Sequence, residues 1–468
     1  MYFWKKLVKY NYKHRVKLNI NMYHITNQRI MLSYTKRYNF KDFLLVYALI
    51  ALSTIPFFMS TFGIVLAFSC IVFLYKKIFN VINFETVLFF IAIFVLEIYH
   101  ATYFKNYETW VIRKILSYFF VSIFVIYYLK LDFLHIYIRI MYYITLISFF
   151  FFFTLILWPD IIKLVDSLIP TIFVKSLNIY EDVYVIKNPI IYNFDHNFYK
   201  IRNNGPFWEP TVFASLLLVG QIFNFLINKK LFNHTGLIFT IGILTTFSTT
   251  VFIAYFIFLV SSFLLSKKIK TVYKIILLII TIFSGIYLFT ALPFLEEKIS
   301  KEITELDSNM ETRGDSRMAS ALLDIAEISG EDIYMFLGKG SSKYSRIGIS
   351  DKTVLRNCGL TALFVEWGIP FALIYLSLLF YSFLQLTKHY GVSRLYSIPF
   401  TFIIILISFS EIFFDLPIFH ALIFIGLVLK RYYYKKVYHA DHIVDETKFN
   451  KNNYSLIVSK LEISSDIN

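Results

Sequence analysis

Long apolar runs alternate with short polar connectors along most of this chain. A helix needs about 20 residues to cross hydrocarbon. On that measure the runs predict spans at 42–58, 60–75, 80–101, 115–129, 134–157, 207–228, 234–249, 250–266, 274–293, 357–386, 396–413 and 415–430. The stretch Phe43 to Tyr75 reads either as a pair broken near Met59–Gly63 or as one long tilted helix. The two short runs between His234 and Ser266 require a reversal near Thr249, where Thr245-Thr246-Phe247-Ser248-Thr249-Thr250 interrupts the apolar pattern. A polar break of this kind is tolerated at membrane depth where protein groups satisfy its backbone.

The pattern predicts an all-α fold: a polytopic transmembrane helix bundle of about twelve helices over residues 42–430, with a large extracytoplasmic loop containing short helices. Basic residues supply the orientation. Clusters at Lys5, Lys6, Lys9, Arg15, Lys36 and Arg37, then at Lys76-Lys77, Lys130, Lys229-Lys230, Lys267-Lys268, Lys388 and Lys430-Arg431 fall on one side, read as cytoplasmic. Arg113 and Lys114 are exceptions that this count puts outside. Two large outer loops follow, at about 158–206 and 295–355. The second carries dense charge of both signs, an amphipathic helix at Ser316–Ile328 with an apolar stripe through Met318, Leu322, Leu323, Ile325 and Ala326, and a turn at Gly338-Lys339-Gly340-Ser341-Ser342. Residues 1–41 are a basic segment with no short apolar core and cleavage site, expected to lead into the first span from the cytoplasm. Residues 431–468 read as a polar cytoplasmic tail.

Composition excludes a soluble reading. Hydrophobic residues make up 57% of the 468, aromatics 20% and charged residues only 16%. Exposed apolar patches on that scale would associate in water. The net charge of +15 does not indicate nucleic acid, because Lys and Arg sit largely in the connectors. Cys70 and Cys358 are the only cysteines, Cys70 lies within a span, and no disulfide or metal-ligand spacing is present. The sequence also lacks a glycine-rich phosphate loop, a His-Glu-x-x-His motif and a Ser-His-Asp spacing. His100, His389 and His420 read as interface or connector residues rather than ligands.

The candidate chemistry lies in polar residues that hydrophobicity does not explain. Arg202-Asn203-Asn204-Gly205-Pro206-Phe207-Trp208-Glu209-Pro210-Thr211 puts an arginine, two amides and a carboxylate at the mouth of a span. With Pro210 near the first helical position, Glu209 falls near the N-cap. It is either a structural cap or a catalytic carboxylate. Arg202 carries a fork suited to phosphate. Arg313 and Arg317, four apart, share a helical face, with Lys343, Arg346 and Arg356 further on. They form either a solvated surface helix or an anion site. Glu366, Asp415 and Glu411 are acids within or beside late spans, where they must pair with arginines or serve as proton carriers.

The chain resembles the bacterial O-antigen polymerase and O-antigen ligase superfamily. Arg202-x-x-Gly205-x-Phe207-x-x-Pro210-x-x-Phe213-Ala214 is similar to the family signature R-x-x-G-x-F-x-x-P-N-x-x-A, with Thr211 where Asn is usual. Phe247-Ser248-Thr249-Thr250 resembles the family's Thr/Ser-rich segment, without the Arg that usually follows. Gly338-x-Gly340, then Arg356-Asn357 with Leu360, and Glu366-x-Gly368 resemble the elements closing its outer loop. Arg356 stands where the ligase branch has His, so the likeness leans toward a polymerase.

The resemblance covers residues 200–420. It implies an inverting, metal-independent glycosyltransferase without a cofactor, active at the periplasmic face of the bacterial inner membrane. The donor would be an undecaprenyl-pyrophosphate-linked oligosaccharide and the acceptor another lipid-linked repeat unit. A chain-length regulator and a flippase are the partners implied. Arg202, Arg313, Arg317, Lys343, Arg356 and Asn357 are then the expected donor-binding residues, with Glu209, or else Glu366, as the base. An O-antigen ligase and a polysaccharide flippase or exporter are the alternatives.

Overall fold

The computed structural model describes residues 38–58, 61–78, 81–104, 119–179, 182–194, 202–266, 269–276, 279, 317–330, 332–340 and 358–430. Within them the protein is helical: α1 (Phe40–Thr54), α2 (Thr61–Ile78), α3 (Phe84–Tyr103), α4 (Val121–Leu129), α5 (Asp132–Leu157), α6 (Pro159–Ser167), α7 (Pro210–Asn228), α8 (His234–Thr245), α9 (Thr249–Leu264), α10 (Arg317–Ser329), α11 (Asp332–Leu337), α12 (Gly359–His389), α13 (Ser397–Ser410) and α14 (Pro417–Lys430). Four of these, α3, α5, α7 and α12, are long and apolar enough to cross a membrane, and α8, α9, α13 and α14 are shorter apolar helices. The expected span at 274–293 lies almost wholly outside the described residues, as do the N-terminal segment to residue 37 and the tail from 431.

One element departs from the expected all-α fold. In the 158–206 segment β1 (Val174–Ile179) and β2 (Asp182–Lys187) pair antiparallel, Val174 opposite Lys187 and Ile179 opposite Asp182. Val183, Val185 and Ile186 favour extended backbone, and the pairing satisfies main-chain groups that an irregular loop would leave open.

Helix α7 is the centre of the packing, with every residue from Pro210 to Ile227 buried. Pro210 opens it at a position where its missing N–H costs nothing, and Lys229 closes it in a left-handed conformation (φ 55°). The turn into α8 is held by amides: Asn224 and Asn233 exchange side-chain hydrogen bonds at 2.8 and 3.0 Å, and Asn233 caps α8 through Gly236 N at 2.7 Å. Tyr137 of α5 donates to Leu216 O of α7 at 2.9 Å. Elsewhere Ser382 of α12 donates to Ile423 O and accepts from Gly426 N of α14 (2.8 and 2.9 Å). A Cβ at Gly426 would stand 2.6 Å from that hydroxyl oxygen. Small residues set this close helix crossing, as is usual where apolar helices pack without a water-driven force between them.

Candidate functional site

The chain between α7 and α9 is held by the motif that precedes α7. The last turn of α8 leaves carbonyls without helical partners, and Arg202 and Asn203 supply the donors. Asn203 N donates to Thr245 O (3.0 Å), Arg202 Nε to Thr246 O (2.7 Å) and Arg202 Nη2 to Phe247 O (2.8 Å). The Asn203 amide adds bonds to Thr245 Oγ1 (3.0 Å) and Ser148 Oγ (3.2 Å). The break therefore falls at Thr246–Ser248, slightly before the expected Thr249, with Phe247 in the left-handed region (φ 49°). Arg202, expected to bind pyrophosphate, has at least two of its five N–H donors on helix-end carbonyls. Arg202→Ala should lower thermal stability by about 2–3 kcal/mol, as for charged hydrogen bonds. Unfolding of the purified protein in detergent measures this.

Two asparagines shape the turn that leads to Glu209. Asn188 donates to Pro206 O (2.6 Å), and Asn193 donates to Phe207 O (2.9 Å) and Trp208 O (3.3 Å), while Asn193 N reaches Gly205 O (2.7 Å). Both side chains are buried. They fix where the carboxylate emerges, and neither stood out in the sequence, because isolated asparagines in a mixed loop carry no spacing signal.

Glu209 occupies the N-cap position of α7, with extended backbone, but its side chain makes no capping hydrogen bond. The structural-cap reading thus fails at the side chain. The carboxylate instead lies beside Glu411, close enough for its charge to act on that carboxyl. Glu411 is the first residue past α13, outside the helix that the sequence had extended to 413. Glu209 Oε2 is buried and receives no hydrogen bond among the described residues. Burial and then the charge of Glu209 hold the Glu411 carboxyl well above the usual carboxylate range, with Arg317 partly offsetting them.

Arg317 is the first residue of α10. Its Nε donates to Ser410 O at 2.8 Å and its Nη2 approaches Glu411 Oε1 at 3.4 Å. Glu411 and Glu209 form a carboxyl pair between an arginine and the mouth of a central helix. Nearby, Ser248 at the head of α9 donates to Thr211 Oγ1 at 3.3 Å. A Cβ on Gly359, at the head of α12, would lie 2.1 Å from Glu411 O. The starts of α7, α10 and α12 and the end of α13 thus converge on one small region.

The other expected carboxylate is elsewhere. Glu366 is seven residues along α12 from Gly359, roughly 10 Å of helix, and is buried. Its segment is a break in α12: Gly368 adopts φ 77°. Into the break fits the turn after α11, with Lys339 N donating to Val365 O (2.8 Å) and Gly340 N to Glu366 O (2.9 Å). A Cβ at Gly338 would meet Glu366 O at 2.4 Å, and one at Gly368 would meet Phe336 O at 2.3 Å. The Gly-x-Gly and Glu-x-Gly motifs are two sides of one main-chain junction. Lys339 there forms a buried ion pair with Glu327 at 3.2 Å and sits 4.5 Å over the Tyr334 ring. His100, expected at an interface, is buried, its Nε2 2.8 Å from Leu337 O. His420 is stacked on Phe119 in the interior.

The structure brings together Glu209, Arg317 and Glu411, of which the first two were expected site residues. Arg202 belongs to the helix-end clamp and Glu366 to the junction. Arg313, Lys343, Arg356 and Asn357 lie outside the described residues. Among the described residues no three His, Cys, Asp or Glu side chains converge as a metal site requires. No family model matches this chain, and no curated protein matches it either.

Proposed function

We propose that this protein is a polysaccharide repeat-unit polymerase of the bacterial cytoplasmic membrane. It transfers a glycan from polyprenyl pyrophosphate to a sugar of another lipid-linked unit at the outer face. The observation that carries this reading is the meeting of Arg317 with the Glu209–Glu411 pair at the mouths of apolar helices. The resemblance of residues 200–420 to the polymerase and ligase superfamily supports it.

In this reading Glu209 takes the proton of the attacking sugar hydroxyl. The new glycosidic bond forms at the anomeric carbon while its bond to the pyrophosphate oxygen breaks. The electron pair leaves with the pyrophosphate, and Arg317, whose guanidinium has donors beyond those on Ser410 and Glu411, stabilises the developing charge. Arg313, Lys343, Arg356 and Asn357 are proposed to complete the anion site. Protonated Glu411 lessens the repulsion between the carboxylates and the phosphates.

Two neighbouring carboxyls, one of them held above the usual carboxylate range, also suit a proton-coupled exporter of the same lipid-linked unit. Surface glycan from a deletion strain separates the readings. Loss of a polymerase leaves single repeat units on the acceptor, loss of a ligase leaves none attached, and loss of an exporter traps the unit inside. Single units are the expected result, with the ladder restored by the native gene and not by Glu209→Gln.

A further inference from the structure

Helix α10 is inverted for an aqueous surface. Its charged residues all turn inward: Arg317 to Ser410 and Glu411, Asp324 to the Thr361 hydroxyl (2.6 Å) and Glu327 to Lys339. Asp324 and Glu327 are buried, whereas Met318, Leu322 and Ile325 stand 44%, 38% and 53% exposed. The apolar stripe visible in the sequence is therefore the face turned away from the protein. Its continuation on α11 is also apolar, with Ile333 39% and Phe336 66% exposed. A helix washed by water on that side would gain by the opposite rotation, since exposed apolar area costs free energy in proportion to its extent.

What lies beside this face identifies its partner. Tyr334 of α11 packs on Phe104, with ring centroids 6.2 Å apart, and Leu337 O meets His100, near the end of α3. α3 is long and apolar enough to span, only 28% of its apolar stretch is buried, and Tyr103, next to Phe104, is 51% exposed. The exposed face of α11 thus stands beside the end of a helix long and apolar enough to span, and α10 leads directly into α11.

We infer that α10 and α11 lie in the membrane interface, and that the face formed by Met318, Leu322, Ile325 and Phe336 is bound by the acyl chains of the bilayer. Such a helix sinks its apolar side to the headgroup–acyl boundary. The outer-loop helix expected at Ser316–Ile328 is thereby a membrane-seated arm, with Arg317 at its head, level with the boundary. The inference does not depend on the reaction proposed above.

Spin labels on cysteines placed at Leu322, Ile325 and Phe336 test it, in the full-length protein reconstituted in phosphatidylethanolamine–phosphatidylglycerol liposomes. Cys70 and Cys358 are buried and stay in place, with unsubstituted protein as the background. Val95 gives a lipid reference and the exposed Lys230 an aqueous one. The ratio of collision with oxygen to collision with a water-soluble nickel chelate should be several-fold above that at Lys230 and approach that at Val95. A ratio equal to that at Lys230 puts the face in water and overturns the inference. Suppression of both collisions assigns the face to a protein partner or second copy and overturns it equally. Glycan polymerisation is not read in this experiment, so its failure and that of the proposed reaction are separable.

Discussion

An Arg317→Lys protein is expected to reach the membrane at normal abundance and to polymerise about a hundredfold or more slowly, the typical loss for one transition-state donor, roughly 3 kcal/mol. The fork explains why lysine does not substitute. Arg317 reaches Ser410 O through Nε and Glu411 through Nη2 at once, and a single ammonium on a flexible stem does not reproduce that planar geometry or a bidentate phosphate contact. Single repeat units should accumulate in a strain carrying the variant. Normal ladders at normal protein levels would return Arg317 to a purely structural role.

Glu411 makes the same region sensitive to pH. Its carboxyl is raised above the ordinary range by burial and by Glu209. The protonated form is therefore favoured by the fold, and its contribution to stability is fully present below the usual carboxylate pKa. It is lost as pH rises through the raised value, where two carboxylates face each other. Glu411→Gln keeps a neutral side chain beside Glu209 without titrating. It should remove the alkaline fall in stability and in rate while leaving the acid side unchanged. Stability and initial rate followed across the neutral and alkaline range decide this.

The second large effect is expected at Lys339→Met. Lys339 and Glu327 have side chains only 2% and 3% exposed. Removing one partner weakens the compensation of a buried charge, and breaking such a pair typically costs about 3–5 kcal/mol. The cost should appear as a lower unfolding temperature in detergent and lower abundance in the membrane. Combining Lys339→Met with Glu327→Leu should recover much of it, because an apolar pair of similar volume replaces the ion pair without a stranded charge. If the double variant is no more stable than the single one, the Lys339 backbone junction to Val365, and not the ion pair, is the source of the loss.

Much of the helical pattern was legible because crossing hydrocarbon demands long apolar runs, and α3, α5, α7 and α12 follow the predicted segments closely. The break between α8 and α9 was legible as a Thr/Ser interruption. Its repair by Arg202 was not, since a guanidinium aimed at carbonyls and one aimed at phosphate look alike in a motif. Glu209 was legible as an N-cap position, while its partner Glu411 lies far along the chain and carries no spacing signal. The stripe on α10 was read correctly as a stripe, but periodicity states that a helix has two faces and not which one the protein keeps. The β1–β2 hairpin left a readable trace, the β-branched cluster at Val183–Ile186, that the surrounding helical pattern overshadowed.

The clamp formed by Arg202 has a consequence for how loss-of-function phenotypes are interpreted. An arginine that ties two carbonyls of a neighbouring helix end scores as indispensable in any scan that reads cellular output, whether or not it ever meets a substrate. For this position, genetic essentiality and chemical participation are different quantities. They separate only when turnover is normalised to the number of correctly assembled molecules.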